Sequence, residues 1–321
     1  MAQRILFNEV VTRDGFQMEP RFVPTEVKVA LIDALGTCGY AKIEVTSFTS
    51  PRAIPMLADA EEVMRRIRRV PGVEYSVLVP NLRGAERALE SRADELNLVM
   101  SVSEAHNQAN LRMSRESSFA ALAAVARFVD GRVPLNVSLS TAFGCPMQGL
   151  VAADEVLLWA ERFAALGVRG ITFCDTTGMA HPVQVARLAE MLLPRMEGLQ
   201  LTLHFHDTRG MGLANVLAGV QGGIHRFDAS LGGLGGCPYA PGASGNICSE
   251  DTVHMLDAMG LDTGIDLAHL LPIASSLAKL VGHEVPSHVC KAGRILDLHP
   301  SPRRAPPTRT IAATRTDRLP D

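Results

Sequence analysis

The chain has 321 residues, 47% of them hydrophobic, 20% charged and 5% aromatic, with a formal net charge of −3. That balance is globular rather than disordered. It offers a polyanion no attractive field and has few rings to stack on bases, so no nucleic-acid partner is expected. Six cysteines (Cys38, Cys145, Cys174, Cys237, Cys248, Cys290) lie scattered without CxxC spacing. They predict reduced thiols and a cytoplasmic location rather than a disulfide framework. No apolar run approaches the roughly 18 residues that cross a bilayer, and the N-terminus carries no signal-peptide pattern, so no membrane partner is expected.

Short β-branched or apolar runs alternate along the chain with amphipathic stretches. Strands are predicted at Ile5–Val11, Lys42–Phe48, Glu74–Pro80, Glu95–Ser103, Pro134–Thr141, Gly170–Thr177, Gln200–Thr208 and Arg226–Leu234. Helices are predicted between them. The first spans Thr25–Cys38, with Val27, Ala30, Leu31, Ala34 and Leu35 on one face and Gly39 as a stop. The others are Ala60–Arg69, Leu82–Arg92, Glu116–Val129, Ala152–Leu166, Pro182–Met196 and Met211–Gly222. Helical crossovers imply parallel strands, and eight such units predict an α/β fold, a closed (β/α)8 TIM barrel. A doubly wound sheet fits the same alternation, but no GxGxxG follows the first strand. Further helices are predicted from Ser249 to Leu296, opened by Glu250 and Asp251. Residues 1–299 are thus expected to form one barrel domain with a C-terminal helical extension, and 300–321, rich in Pro and Arg, a disordered tail.

In a barrel the site is built where the strands end. Strand 1 runs into Thr12-Arg13-Asp14-Gly15, Glu44 lies in strand 2, and strand 6 ends at Asp175-Thr176-Thr177-Gly178. His204 and His206 sit two apart in strand 7, so both imidazoles face one side. Either they hold an ion or they pack as a core or surface pair, and spacing alone supports both. Asp14 and Asn246 are candidate oxygen donors to complete a site, a set that suits Mg²⁺ or Mn²⁺ and also accommodates Zn²⁺ or Co²⁺. Arg13 reads either as a cation aimed at developing negative charge or as a salt bridge to Glu44, and one arrangement can serve both. Cys237 lies in the loop GGLGGCPYAPGASGN, which either closes over a substrate with the thiol as proton donor or is a passive turn. Asp175, Asp207 and Asp228 read as supporting acids or helix caps, with structural roles expected for the last two.

With these segments the chain resembles the 3-hydroxy-3-methylglutaryl-CoA lyase family of metal-dependent TIM-barrel lyases and synthases, over roughly residues 5–295. The resemblance is carried by RDGFQ at Arg13–Gln17, IEVTSFTSP at Ile43–Pro51, FGCP at Phe143–Pro146, DTTG at Asp175–Gly178, HFHDTRG at His204–Gly210 and GGLGGCPYAPGASGN at Gly232–Asn246. It implies that Asp14, His204, His206 and Asn246 hold a divalent metal, usually Mg²⁺ or Mn²⁺. It also implies that Arg13 stabilises an enolate, that Glu44 is its associated carboxylate, and that Cys237 moves a proton. The implied reaction is a retro-Claisen cleavage of a 3-hydroxy-3-substituted acyl-CoA, for the standard substrate giving acetyl-CoA and acetoacetate. His204, Asp14 or a water takes the hydroxyl proton. An acyl-CoA substrate and a homodimer are the implied partners.

The chain departs from the family pattern at Val11, Thr12, Phe16 and Met18, around Thr172-Phe173-Cys174, and over residues 134–141. These changes bear on the acyl group more than on the reaction. The competing readings are a lyase for another 3-hydroxyacyl-CoA, an acetyl-CoA-condensing synthase, an aldolase, and a barrel kept only for binding.

Overall fold

A computed structural model describes residues 4–236 and 245–298; Cys237 and the predicted tail over 300–321 lie outside them. All eight predicted strands form: β1 (Leu6–Glu9), β2 (Lys42–Ser47), β3 (Glu74–Val79), β4 (Glu95–Ser101), β5 (Leu135–Ser140), β6 (Gly170–Asp175), β7 (Gln200–Phe205) and β8 (Arg226–Ala229). Each pairs in parallel with its sequence neighbours, and β8 closes the ring on β1 from Leu6↔Arg226 to Glu9↔Ala229. The helices α1 (Thr25–Leu35), α2 (Ala60–Arg66), α3 (Leu82–Glu90), α4 (Glu104–Leu111), α5 (Arg115–Val129), α6 (Ala153–Ala164), α7 (Pro182–Leu192) and α8 (Gly212–Gln221) make the crossovers. The fold is a TIM barrel. Beyond it lie α9 (Ser249–Ala258), α10 (Leu267–Val281) and α11 (Val289–Ala292).

Strand alternation divides labour between the two faces of the sheet. Phe7, Ile43, Val77, Leu96, Leu98, Val137, Ile171, Phe173, Leu203 and Phe227 belong to the buried apolar core. The other set fills the bore with polar groups rather than the branched aliphatics usual in such barrels. Lys42 pairs with Glu95, and Arg169 reaches both Glu74 and Glu95. Buried charges of this kind persist only when paired. The ion pairs plug the N-terminal end of the bore and leave the C-terminal end for ligands.

Three local features differ from the sequence expectation. First, α1 ends at Leu35 and buries Lys28, Leu31, Ile32 and Leu35, while Ala30 is exposed. The face is rotated because Lys28 is held inside by Asp59 at 2.6 Å and the Met56 carbonyl at 2.7 Å. Second, α4 is an additional helix. Its sequence EAHNQANL has little apolar period, and Ser103 starts it by accepting from the His106 N–H at 3.2 Å. Third, β1 and β8 stop short, because a single helical turn follows each, Val11–Gly15 after the first and Leu231–Gly233 after the second. Among the described residues no helix is long and apolar enough to cross a membrane.

Candidate metal and active site

The turn after β1 is a single π-helical turn, Val11–Gly15, in which the N–H groups of Arg13, Asp14 and Gly15 all donate to the Val10 carbonyl, at 3.2, 2.7 and 3.3 Å. Wide turns of this kind are rare and concentrate at functional sites. This one presents two adjacent side chains, Arg13 and Asp14, to the mouth of the barrel. Gly15 allows it: a Cβ there would stand 3.0 Å from Val11 Cγ2 and 3.3 Å from Leu234 Cβ. Beneath the turn Glu9 is fully buried. It accepts from the N–H groups of Val11 and Leu231, both at 2.9 Å, and from Ser249 Oγ at 2.7 Å. One carboxyl group thus ties the turn to the segment after β8 and to the start of α9.

His204 lies in β7 and His206 just beyond its end, and both are buried with Asp14 opposite them. Their Nε2 atoms are 3.1 Å apart, and Asp14 Oδ2 lies 3.9 Å from the first and 3.7 Å from the second. Among the described residues this is the one convergent group of three His, Cys, Asp or Glu donors. Two nitrogens bound side by side to one cation at about 2.1 Å sit about 3 Å apart, so the imidazole spacing fits a shared ion. Behind them Asp228 Oδ2 engages His204 Nδ1 at 3.2 Å, and Asn8 Nδ2 donates to Asp228 Oδ1 at 2.8 Å. Asp228 therefore orients His204 rather than serving only the scaffold. Asp207 caps α8 instead, accepting from the Gly212 N–H at 2.7 Å, and Asp175 accepts from the N–H groups of Met179 and Ala180.

Asn246 enters through an isolated antiparallel bridge to His206. Its Nδ2 donates to Asp14 Oδ2 at 2.7 Å and to the Leu234 carbonyl at 2.9 Å. Its Oδ1 is buried without a hydrogen-bond partner among the described residues, as is Nδ1 of His206. A buried acceptor left bare beside a carboxylate and two imidazoles is what a cation would engage. The backbone crowds in as well: at Gly235, with φ +108°, a Cβ would fall 2.4 Å from Asn246 Nδ2. All four expected metal-site residues are therefore brought together.

Arg13 is held from two sides, its Nε donating to Glu44 Oε2 at 2.5 Å and its Nη1 to Asp14 Oδ1 at 2.6 Å. The expected salt bridge to Glu44 is present, and Arg13 lines the cavity at the same time. Glu44 is fixed in turn by Asn97 Nδ2 at 2.7 Å; Asn136 and Ser138 each donate to Asn97 Oδ1 at 3.0 Å, and Asn136 reaches Thr172 at 2.9 Å. Gln17 adds a bond to Asp14 Oδ1 at 2.7 Å. Burial works against ionisation of Asp14, but Arg13 and the histidines outweigh it and hold the carboxyl at about 2. Burial also works against protonation of His204, yet the Asp228 carboxylate lifts its pKa above the ordinary value. His206, buried beside His204, is pushed down to about 4. An ionised carboxylate and a neutral imidazole are the states a cation needs.

These groups open into a cavity of about 330 Å³, also lined by Thr49, Ile54, His106, Asn110, Ser140 and Gly236. The sequence reading gave Asp228 a structural role rather than His204 as its partner, and missed the Asn97–Asn136 ladder, Gln17, and the α4 residues His106 and Asn110. Gln17, inside RDGFQ, and Asn136, within 134–141, lay in segments already singled out. Phe16 carries no contact to the cavity; it is fully buried in the apolar core, so its departure from the family pattern is a packing change. Cys237 lies outside the described residues.

The HMGL-like family model matches residues 4–277. Hydroxymethylglutaryl-CoA lyase YngG of Bacillus subtilis is 42% identical over 286 residues, 89% of this chain and 96% of that protein. The (R)-citramalyl-CoA lyase of Chloroflexus aurantiacus is 38% identical over 89% of this chain and 94% of its own length. An HMG-CoA lyase from Acinetobacter baumannii, solved in complex with coenzyme A and 3-methylmalate, superposes with a TM-score of 0.91 at 50% identity, covering 93% of this chain and 98% of that one. The chain belongs to the HMGL-like family.

Proposed function

We propose that the protein is a divalent-metal-dependent carbon–carbon lyase that cleaves 3-hydroxy-3-methylglutaryl-CoA to acetyl-CoA and acetoacetate. The observation that carries this reading is the convergence of Asp14, His204, His206 and the bare Asn246 oxygen beside a doubly tethered Arg13 at the open end of the barrel. Those four residues would hold the cation, Mg²⁺ or Mn²⁺ by the chemistry of the donor set. When bound, it supplies the positive charge that acidifies a substrate hydroxyl.

Arg13 uses two of its five N–H donors on Glu44 and Asp14, and the others serve the oxygen that becomes the enolate. Glu44 fixes the guanidinium plane, so the donors are aligned before charge develops. His204 has one free lone pair, on Nε2, because Nδ1 is engaged with Asp228. One lone pair cannot hold a cation and a proton together, so the metal role is kept for His204 and the substrate hydroxyl would lose its proton to a water as the carbon–carbon bond breaks. Cys237 gives the enolate carbon its proton, and the thiolate is reprotonated from solvent. The lyase acts as a homodimer in this reading, which sedimentation of the purified chain tests.

The experiment is acetyl-CoA release from 3-hydroxy-3-methylglutaryl-CoA with and without Mg²⁺ or Mn²⁺. Metal-dependent release abolished by chelation supports the reading; absence of release from this ester with cation bound excludes the substrate. A second reading, cleavage of another 3-hydroxyacyl-CoA, is favoured by the 38% identical (R)-citramalyl-CoA lyase and by the polar α4 wall of the cavity. Citramalyl-CoA and 3-methylmalyl-CoA in the same assay separate the two.

A further inference from the structure

Two carboxylates stand directly behind the working side chains of the site, and each is held in the same way. Glu44 accepts from Arg13 Nε on Oε2 at 2.5 Å and from Asn97 Nδ2 on Oε1 at 2.7 Å. Asp228 meets His204 Nδ1 with Oδ2 at 3.2 Å and accepts from Asn8 Nδ2 on Oδ1 at 2.8 Å. Neither amide is free to flip. Asn97 Oδ1 accepts from Asn136 Nδ2 and from Ser138 Oγ, both at 3.0 Å, and Asn8 Oδ1 accepts from Arg226 Nη1 at 3.2 Å. A flip would set donor against donor at one end and oxygen against carboxylate at the other.

Both amides come from inside the bore. Asn97 lies on β4 and reaches Glu44 on β2 past the intervening β3, while Asn8 on β1 meets its register partner Asp228 on β8. The two amides and the two carboxylates line one chamber of about 10 Å³, room for a single water and for no part of an acyl-CoA. None of the four lines the catalytic cavity. Aliphatic side chains would fill these buried positions at a smaller desolvation cost, so the amides are matched to the carboxylates they hold. We propose that Asn97 and Asn8 are positioning residues with separate duties: Asn97 sets the guanidinium of Arg13 through Glu44, and Asn8 sets the imidazole of His204 through Asp228. Asn136 and Ser138, together with Thr172, which accepts from Asn136 at 2.9 Å, fall in segments that depart from the family pattern. Those departures then serve Arg13 and not the acyl group alone. The effect of Asn97 on turnover rests on the lyase reading above; the placement of the two working side chains does not.

The test uses nuclear magnetic resonance of the full-length protein labelled with nitrogen-15 arginine. The Arg13 Nε–H resonance, identified by its loss in Arg13→Lys, is followed by its exchange with solvent. Asn97→Ala should speed that exchange about tenfold or more and lower kcat on 3-hydroxy-3-methylglutaryl-CoA about tenfold. The loss in kcat should vanish in an Arg13→Lys background, where the guanidinium is already gone. Asn8→Ala should leave the Arg13 exchange as in the wild type and weaken Mn²⁺ about threefold or more in calorimetric titration. Melting curves check folding, and Asn97→Ser and Asn8→Ser replace an alanine variant that does not fold. Unchanged Arg13 exchange in the Asn97 variant, or kcat losses that simply add, overturns the duty given to Asn97. Unchanged Mn²⁺ affinity in the Asn8 variant, or the same loss in both variants, overturns the division of duties. Wild-type protein without turnover counts against the lyase reading alone, because exchange and titration still decide the proposal.

Discussion

Asp228 and His204 are register partners on the adjacent strands β8 and β7, and Asp228 Oδ2 meets His204 Nδ1 at 3.2 Å. The row extends to Asn8, the partner of Asp228 on β1, and to Cys174, the partner of His204 on β6. The orientation of a proposed metal donor is thereby written into the hydrogen-bond register of four strands. Asp228→Asn keeps the shape and removes the charge behind the imidazole. Mn²⁺ affinity measured by calorimetry should fall about 10–100-fold with little change in melting temperature. Unchanged affinity would remove Asp228 from the site.

Arg13→Lys tests the fork rather than the charge. A lysine cannot engage Glu44 and Asp14 and still face an oxyanion, so kcat should drop by about 10²–10³. Mn²⁺ binding should persist, because Asp14 keeps its bonds from Gln17 and Asn246. A variant with wild-type turnover would show that enolate stabilisation lies elsewhere.

Gly235→Ala should weaken cation binding without touching a donor. The new Cβ would collide with Asn246 Nδ2 at 2.4 Å, and φ +108° is itself strained for alanine. A loss of about tenfold or more in affinity is expected, read by the same titration. Equal affinity would mean that Asn246 can move aside and still serve.

Glu9 gives a pH dependence of stability. Burial raises its carboxyl to about 7, against the opposing bonds from Ser249, Leu231 and Val11. Between the ordinary carboxylate range and about pH 7 the folded chain holds a proton that the unfolded chain has released. Stability from this group therefore falls as pH rises through that window and levels off above it. Glu9→Gln can still accept from both backbone N–H groups through its amide oxygen and donate to Ser249 through its nitrogen. Its melting temperature should vary less than that of the wild type between about pH 5 and 7. Identical slopes would place the proton on another group.

The barrel was readable because its strands are short apolar or β-branched runs spaced by helical periods, and the site because Arg13, Asp14, His204 and His206 cluster where strands end. The rest depended on partners far apart in the chain. Lys42 meets Glu95, and Glu44 meets Asn97, across 53 residues each. A polar residue inside a strand does not announce which neighbour will satisfy it. Likewise α4 is set by the Ser103 cap and by packing, which a nearly unpatterned EAHNQANL does not reveal. Lys28 rotated α1 for the same reason: a charge on the apparent polar face found a half-buried acid 31 residues away.

Asp14 follows the first strand, His204 lies in the seventh with His206 just beyond its end, and Asn246 follows the eighth. The pocket for a cation therefore straddles the seam at which the two ends of the sheet meet. A sheet open between its first and eighth strands holds Asp14 apart from the other donors, so an ion held there favours the closed junction. Loading with metal should then act as a clasp, slowing the opening of the β1–β8 junction above all other junctions. Amide exchange at Leu6–Glu9 and Arg226–Ala229 would register that clasp directly.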